Sequence, residues 1–216
     1  MITLAPAILT ADADLLQQQL SIYVTFAKRI QLDIADGTLA ADTTVQLSAL
    51  AQLPAEVSLD LHLIALRPSD HLTQILRLKP SLCILHAEAG ENLLPLFEQL
   101  KAAGIKTGVA LLPSSFPGKF KPYLEVVDHA LIFAGTLGRQ GGTANLLQTE
   151  KVKLIRAIKP EIEIGWDGGA NLQNIRALAH SKIDIINVGS AISRHPEPAT
   201  AYVALLEESE KRGVAI

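Results

Sequence analysis

Short apolar runs alternate with amphipathic segments along the whole chain, and this pattern limits the possible folds more than any other feature. Eight runs have the length and aliphatic content of buried strands: 3–7, 29–33, 57–63, 82–86, 106–111, 129–133, 163–166 and 185–188. The segments that follow them have helical spacing and often begin with Asp, Asn, Ser or Thr: 12–23, 43–51, 69–78, 92–103, 119–126, 149–158, 172–181 and 198–210.

Eight strand–helix units with short connections predict an α/β fold, a (β/α)8 TIM barrel, formed by a single domain over residues 1–216. An open, doubly wound sheet usually has fewer strands. The length of 216 residues lies near the lower end of the size range of the barrel. Hydrophobic residues make up 49% of the chain but aromatic residues only 4%, which is typical of buried parallel strands.

The charge pattern and the apolar runs exclude several classes of partner. The formal net charge is -3 and no basic cluster interrupts the chain, so we expect no nucleic-acid partner. No apolar run reaches the roughly 18 residues of a membrane span, so we expect no membrane partner and a cytoplasmic location. Cys83 is the only cysteine, which excludes an intrachain disulfide.

Polar side chains mark the carboxyl ends of several predicted strands, where the reactive groups of barrel enzymes lie. Asp33 ends strand two, His62 ends strand three and Asp167 follows strand seven. The two aspartates lie on strands nearly across the barrel from each other, which favours a chemical role. The alternative is that both merely cap the Gly-containing turns that follow them.

Residues two apart on a strand share a face, which extends this set. The pairs are Gln31 with Asp33, Asp60 with His62, and His86 with Glu88. If these faces point inward, two aspartates and one or two histidines converge at the mouth of the barrel. We interpret the remaining histidines as surface or loop residues: His71, His129, His180 and His195.

Glycines after strands seven and eight predict a phosphate site. Gly168, Gly169, Gly189 and Ser190 allow close approach of the backbone to an anion, and the amides and macrodipole of a following helix add attraction. Barrels often bind phosphate at this corner. The stretch 135–142 after strand six is expected to close over the same ligand; its candidate contacts are Gly138, Gly141, Gly142 and, as an optional cation, Arg139.

Five motifs in order resemble those of the ribulose-phosphate 3-epimerase family over nearly the whole chain. They are LAPAILTAD at 4–12, LDIADG at 32–37, LDLHL at 59–63, WDGG at 166–169 and VGSAI at 188–192. The resemblance implies a barrel of the ribulose-phosphate-binding type, a phosphorylated sugar as ligand and an isomerase activity. That activity is epimerisation at C3 of a ketopentose 5-phosphate, which converts D-ribulose 5-phosphate to D-xylulose 5-phosphate. We also expect a homo-oligomer.

The same resemblance implies roles for individual residues. Asp33 and Asp167 match the acid/base pair that moves the C3 proton through an enediolate. Asp33, His62 and Asp167 also match ligands of a divalent metal, with Zn, Mn, Fe and Mg as the candidate ions. Gln31 stands at the fourth ligand position, where the family has a histidine. A neutral amide is a poorer ligand for zinc than imidazole is, so metal binding is expected to be weakened or absent.

The predicted mouth departs from the family in further places. Ala7 replaces a hydroxyl residue, residues 136–138 replace Asn-Pro-Gly, and three positions that usually hold methionine are Ala35, Ile64 and Phe133. Three functions therefore stay open. They are the ribulose-phosphate epimerase, an epimerase or isomerase of another phosphosugar such as a ketohexose 6-phosphate, and a non-catalytic barrel that binds a sugar phosphate.

Overall fold

Each of the eight apolar runs forms a strand in the computed structural model, which describes residues 2–50, 56–139 and 141–211. The strands are β1 Thr3–Ile8, β2 Arg29–Ala35, β3 Ser58–Ile64, β4 Leu82–His86, β5 Lys106–Leu111, β6 His129–Phe133, β7 Glu163–Asp167 and β8 Ile185–Val188. Every neighbouring pair is parallel, and β1 also pairs with β8, so the sheet closes. The predicted TIM barrel is confirmed.

Helices lie between most strands and cover the outside of the barrel. They are α1 Ala13–Tyr23, α2 Leu72–Leu78, α3 Leu94–Ala102, α4 Lys121–Val126, α5 Lys151–Ile158, α6 Ile175–His180, α7 Ser190–Ser193 and α8 Pro198–Glu210. The Asp12 carboxylate caps α1 by accepting the N–H groups of Asp14 and Leu15. Within the described ranges, no helix is long and apolar enough to cross a membrane.

The predicted helix at 43–51 is wrong over residues 43–50, and residue 51 lies outside the described residues. Only one 3-10 turn forms there, at Leu47–Ala49. The Thr44 hydroxyl accepts the N–H of Ala35 at 2.9 Å, and the Thr44 N–H donates to the Ala35 carbonyl at 3.0 Å. These contacts hold the segment against the end of β2, which excludes a helix from its start.

Apolar side chains fill both faces of the barrel wall, as near-continuous hydrophobic strands predict. Outward-facing residues join the helices in the main core, whereas Leu82, Ile84, Ala110 and Leu131 form a separate layer inside the barrel. Because this inner layer is apolar, polar groups inside the barrel are confined to its two ends.

A polar cluster closes the amino end of the barrel. Arg29 donates to Asp60 at 2.6 Å and, through both terminal nitrogens, to Glu163 at 2.8 Å each. Nδ1 of His129 lies 2.7 Å from Glu163. The interpretation of His129 as a surface or loop residue is wrong, because its side chain is buried at the start of β6 against these charges. His180 and His195 are exposed, and His71 contacts Asp36.

Candidate active site

Gln31, Asp33, His62 and Asp167 meet at the carboxyl end of the barrel. The register of β2 and β3 places Asp33 directly beside His62. Nδ1 of His62 lies 2.9 Å from Oδ1 of Asp33 and 3.6 Å from Oδ2 of Asp167. Nε2 of Gln31 donates to Oδ1 of Asp33 at 2.9 Å and to Oδ2 of Asp167 at 2.7 Å. One amide group therefore bridges two carboxylates from strands that are not neighbours.

Burial changes the acidity of every titratable group in this cluster. It raises the pKa of Asp33 to about 7, although the hydrogen bond from Gln31 acts in the opposite direction. Burial, followed by repulsion from Asp33, also raises the pKa of Asp167 to about 7. Burial lowers the pKa of His62 to about 4, so its imidazole is neutral at neutral pH. Two carboxyl groups with these pKa values can both accept and return protons near pH 7.

Three of the four side chains fit a divalent metal ion. Ligand atoms of Asp33, His62 and Asp167 all lie within 4.8 Å of one another. Gln31 directs its N–H groups, not its carbonyl oxygen, at the carboxylates, and its Oε1 is buried without a hydrogen-bond partner. As placed, Gln31 thus competes with a cation for the carboxylates and does not act as a fourth ligand.

A second histidine extends the cluster on the side of β4. Nε2 of His62 and Nε2 of His86 are 2.9 Å apart, and Nδ1 of His86 lies 3.3 Å from Oε2 of Glu88. The sequence placed His86 and Glu88 on one face of a strand end but gave them no role. The missing information was the diagonal contact between β3 and β4, which depends on the tilt of the strands.

A cavity opens above the cluster. Asp33, His62 and Asp167 line it. All the predicted phosphate-site residues also line it: Gly138, Gly141, Gly142, Gly168, Gly169, Gly189 and Ser190. Asn187, at the end of β8, also lines the cavity with its Oδ1 buried and unpartnered, and was missed as a separate site residue.

Two glycines bring the loops after β6 and β7 into backbone contact. Gly168 has a φ of +120°, and a Cβ there would lie 2.2 Å from the N atom of Gly135. Gly169 has a φ of +68°, and a Cβ there would lie 2.2 Å from the N atom of Ala144. Only glycine fits either position, because both the torsion angle and the available space exclude a side chain.

Backbone donors are available at the cavity wall. The carbonyls of Gly168, Gly169 and Gly189 already accept hydrogen bonds from neighbouring protein groups. Within the described part of the chain, the N–H groups of these glycines and of Ser190 donate to no protein acceptor. Because α7 spans only Ser190–Ser193, its macrodipole is small, and individual amides are the donors that an anion would meet here.

The other predicted contacts are placed less centrally. Arg139 lines the cavity, but its Nε donates to Asp42 at 3.1 Å and its side chain is 70% exposed. Ala7, Ile64 and Phe133 line the cavity as the resemblance implied. Ala35 instead packs in a small apolar cluster with Ala40 and Ile64. Residue 140, within the predicted covering stretch, lies outside the described residues.

The closed barrel, with its polar cluster and its glycine-lined cavity at one end, has the architecture of a (β/α)8 barrel enzyme, whose reactive groups lie at the carboxyl ends of the strands. The sequence profile of the ribulose-phosphate 3 epimerase family matches residues 3–193. The chain belongs to this family and, with it, to the isomerase class of enzymes.

Curated relatives from distant organisms cover nearly the whole chain. Ribulose-phosphate 3-epimerase of Mycobacterium tuberculosis is 26% identical over 95% of this chain and 92% of its own length. The enzyme of the same name from Helicobacter pylori is 28% identical over 93% and 95%. The cytoplasmic isoform from Oryza sativa is 27% identical over 96% and 94%. At this identity the chain is a divergent member of the family.

Solved structures share the fold at lower identity. KGPDC from Streptococcus mutans superposes with a TM-score of 0.72 at 12% identity and covers 97% of both chains. 3-Hexulose-6-phosphate synthase from Salmonella typhimurium superposes with a TM-score of 0.69 at 15% identity, over 96% of this chain and 98% of its own. At such identities, these similarities establish the barrel architecture alone.

Proposed function

We propose that the chain catalyses epimerisation at C3 of a ketopentose 5-phosphate, from D-ribulose 5-phosphate to D-xylulose 5-phosphate. The observation that carries this proposal is the pair of carboxyl groups, Asp33 and Asp167, one buried and one partly buried, in a cavity that is also lined by glycines with free backbone amides. The pair supplies proton transfer, and the amides of Gly168, Gly169, Gly189 and Ser190 supply a site for the phosphate. Family membership supports the same reaction.

The reaction needs two bases because it inverts a carbon centre. One carboxylate removes the proton next to the ketone, which gives an enediolate. The other carboxyl group returns a proton to the opposite face, so the substrate need not turn over between the steps. Asp33 on β2 and Asp167 on β7 come from different sides of the barrel mouth. Their raised pKa values, both about 7, suit alternate gain and loss of a proton at neutral pH.

We propose that Asp33, His62 and Asp167 also hold a divalent metal ion weakly. An ion bound there supplies Lewis-acid stabilisation of the substrate oxygens as they become negative. Gln31 weakens this binding, because its amide donates to the two carboxylates that an ion would use. With carboxylate oxygens dominating the site, we expect preference to shift from zinc toward manganese or magnesium.

A second substrate class is favoured by one feature of the cavity. Ala7 offers no hydroxyl where it lines the cavity, so a sugar hydroxyl bound on that side would have to find another partner. This difference favours a phosphosugar other than the ketopentose, such as a ketohexose 6-phosphate, with the same two-base chemistry. Three expectations from the sequence stay predictions: that residues 1–216 form one domain, that the chain is a homo-oligomer, and that it is cytoplasmic.

Proton exchange in heavy water tests the function without assuming the product. The protein is incubated with a panel of phosphosugars, and deuterium at the carbon next to the ketone is followed by NMR. In a two-base reaction, the product gains solvent deuterium while the recovered substrate at first keeps its proton. Exchange into another sugar would select the second substrate class. Binding of phosphosugars without proton exchange would indicate that the chain is a non-catalytic barrel that binds a sugar phosphate.

A further inference from the structure

Four groups form a continuous polar path from the cavity into the barrel wall. It begins at Asp33, passes through the rings of His62 and His86, and ends at Glu88, with successive contacts of 2.9, 2.9 and 3.3 Å. Both histidines are fully buried. Each ring nitrogen therefore faces a partner in the path, and a neutral imidazole carries a proton on only one of its two nitrogens. The two end groups, Asp33 and Glu88, therefore determine which nitrogen of each ring carries the proton.

At the inner end of the path, the Glu88 carboxylate acts as a hydrogen-bond acceptor. Its Oε1 accepts the backbone N–H of Leu112 at 3.0 Å and the hydroxyl of Ser115. A backbone N–H can only donate, so this oxygen carries no proton toward Leu112. Burial raises the pKa of Glu88, but hydrogen bonds from His86 and Ser115 outweigh it and hold the pKa below its usual range. Oε2 of this carboxylate thus requires a donor, and that donor is Nδ1–H of His86.

This requirement fixes the protons along the rest of the path. With its proton on Nδ1, neutral His86 has a lone pair on Nε2, which must accept from Nε2–H of His62. Nδ1 of His62 then carries a lone pair, directed at the space between Asp33 and Asp167, 2.9 and 3.6 Å from their oxygens. The reverse arrangement would set the lone pair of His86 Nδ1 against Oε2 of Glu88, which has no other donor among the described residues.

Oδ1 of Asp33 already accepts an N–H of Gln31 at 2.9 Å, so it does not depend on His62 for a donor. The lone pair of His62 Nδ1 still faces this oxygen at 2.9 Å, and a cation between them relieves that repulsion.

We propose that Glu88 and His86 are positioning residues that hold His62 in its Nε2–H tautomer, so that Nδ1 presents a lone pair to a cation between Asp33 and Asp167. The cation rests on the proposed function, whereas the tautomer is a property of the metal-free chain. In the opposite tautomer, Nδ1–H of His62 would donate to Asp33 and occupy the place of the ion. Partners that orient a ligating histidine in this way affect metal affinity by about 10-fold to 100-fold.

A similar contact at the other end of the barrel provides a matched control. Nδ1 of His129 faces Glu163 at 2.7 Å, and this pair borders Arg29 and Asp60, not the cavity. Glu88→Gln and Glu163→Gln therefore make the same chemical change beside a buried histidine. Only Glu88→Gln removes the fixed acceptor at the end of the path to His62, because an amide can either donate or accept.

The experiment combines NMR of the metal-free protein with metal titration. Long-range proton–nitrogen spectra of protein labelled with ¹⁵N-histidine identify the tautomer of each ring. We expect His62 as Nε2–H and His86 as Nδ1–H in the wild type and in Glu163→Gln. In Glu88→Gln we expect both rings to become mixtures of tautomers. Affinity for Zn²⁺ and Mn²⁺, measured by calorimetry, is expected to fall about 10-fold to 100-fold in Glu88→Gln only.

The possible outcomes separate this proposal from the proposed function. Wild-type His62 as Nδ1–H overturns the proposal, as does a Glu88→Gln variant, folded by circular dichroism, with unchanged tautomers and affinity. An equal loss of affinity in Glu163→Gln also overturns it, since a general effect on the barrel would then suffice. If the tautomers are as expected but the wild type binds neither ion, the cation-presenting role fails. Absence of proton exchange with every phosphosugar refutes the epimerase without changing the tautomers.

Discussion

Replacement of Gln31 by histidine should convert a weak metal site into a strong one. In the wild type, an ion between Asp33 and Asp167 must displace the amide, whose Nε2 donates to both carboxylates at 2.9 and 2.7 Å. Hydrogen bonds to charged groups contribute about 1.5–3 kcal/mol each, so losing two costs about 3–6 kcal/mol. The side chain is fully buried, so water does not replace these bonds.

At about 1.4 kcal/mol per tenfold change in affinity, this cost corresponds to about two to four orders of magnitude. Gln31→His removes the competing donor and adds an imidazole ligand, so zinc affinity should rise by at least about 100-fold. Gln31→Leu is the control, because it removes the donor without adding a ligand. We expect its zinc affinity to lie between the wild type and Gln31→His.

The measurement is zinc titration against a competing chelator, with metal analysis of each protein as purified. The reasoning fails if the wild type already carries stoichiometric zinc that survives chelation, or if Gln31→His and wild type bind zinc equally. Equal gains in Gln31→Leu and Gln31→His would assign the whole effect to the lost donor and none to the new ligand.

Three further predictions concern catalysis, phosphate binding and stability. Asp33→Asn and Asp167→Asn should each lower epimerisation by about 100-fold to 10,000-fold in a folded protein; turnover within a few-fold of wild type refutes the assignment. Gly189→Val should weaken the binding of inorganic phosphate, measured as competition with the phosphosugar, more than Arg139→Ala does. A side chain at position 189 obstructs the backbone donors, whereas Arg139 is largely exposed. The reverse order would assign the anion to the β6 loop. Burial raises the pKa of Glu163, but hydrogen bonds from His129 and Arg29 lower it below its usual range. The contribution of ionised Glu163 to the stability of the fold is therefore complete above the unfolded pKa of about 4.3 and is lost as the pH falls. Urea unfolding from about pH 6 to pH 3 should therefore show a smaller loss of stability in Glu163→Gln than in wild type, and equal losses would contradict this reasoning.

The strands were predictable because their signal is local. Each apolar run contains its own evidence, and every predicted strand except the second agrees with the observed one to within a single residue at each end. The positions of Asp33, His62 and Asp167 follow from the rule that strand ends meet at the mouth of a barrel. The sequence could therefore bring these three residues together without knowledge of any side-chain contact.

Interactions between distant residues were not predictable in the same way. The burial of His129 depends on Glu163, which is 34 residues away, and on the pairing of Glu163 with Arg29, which is 134 residues away. Similarly, the orientation of the Gln31 amide depends on Asp167, 136 residues along the chain. A single sequence gives the residue types at these positions but not the direction of their hydrogen bonds.

The backbone contacts of Gly168 and Gly169 make the loops after β6 and β7 mechanically dependent on each other. Gly135, near the start of the β6 loop, rests on Gly168, and Ala144, near its end, rests on Gly169. Neither loop can shift at these two points without displacing the other. A displacement of the β6 loop at either contact therefore displaces the β7 loop with it. Grafting a different β6 loop onto this barrel would require the two glycine contacts to be transferred as well.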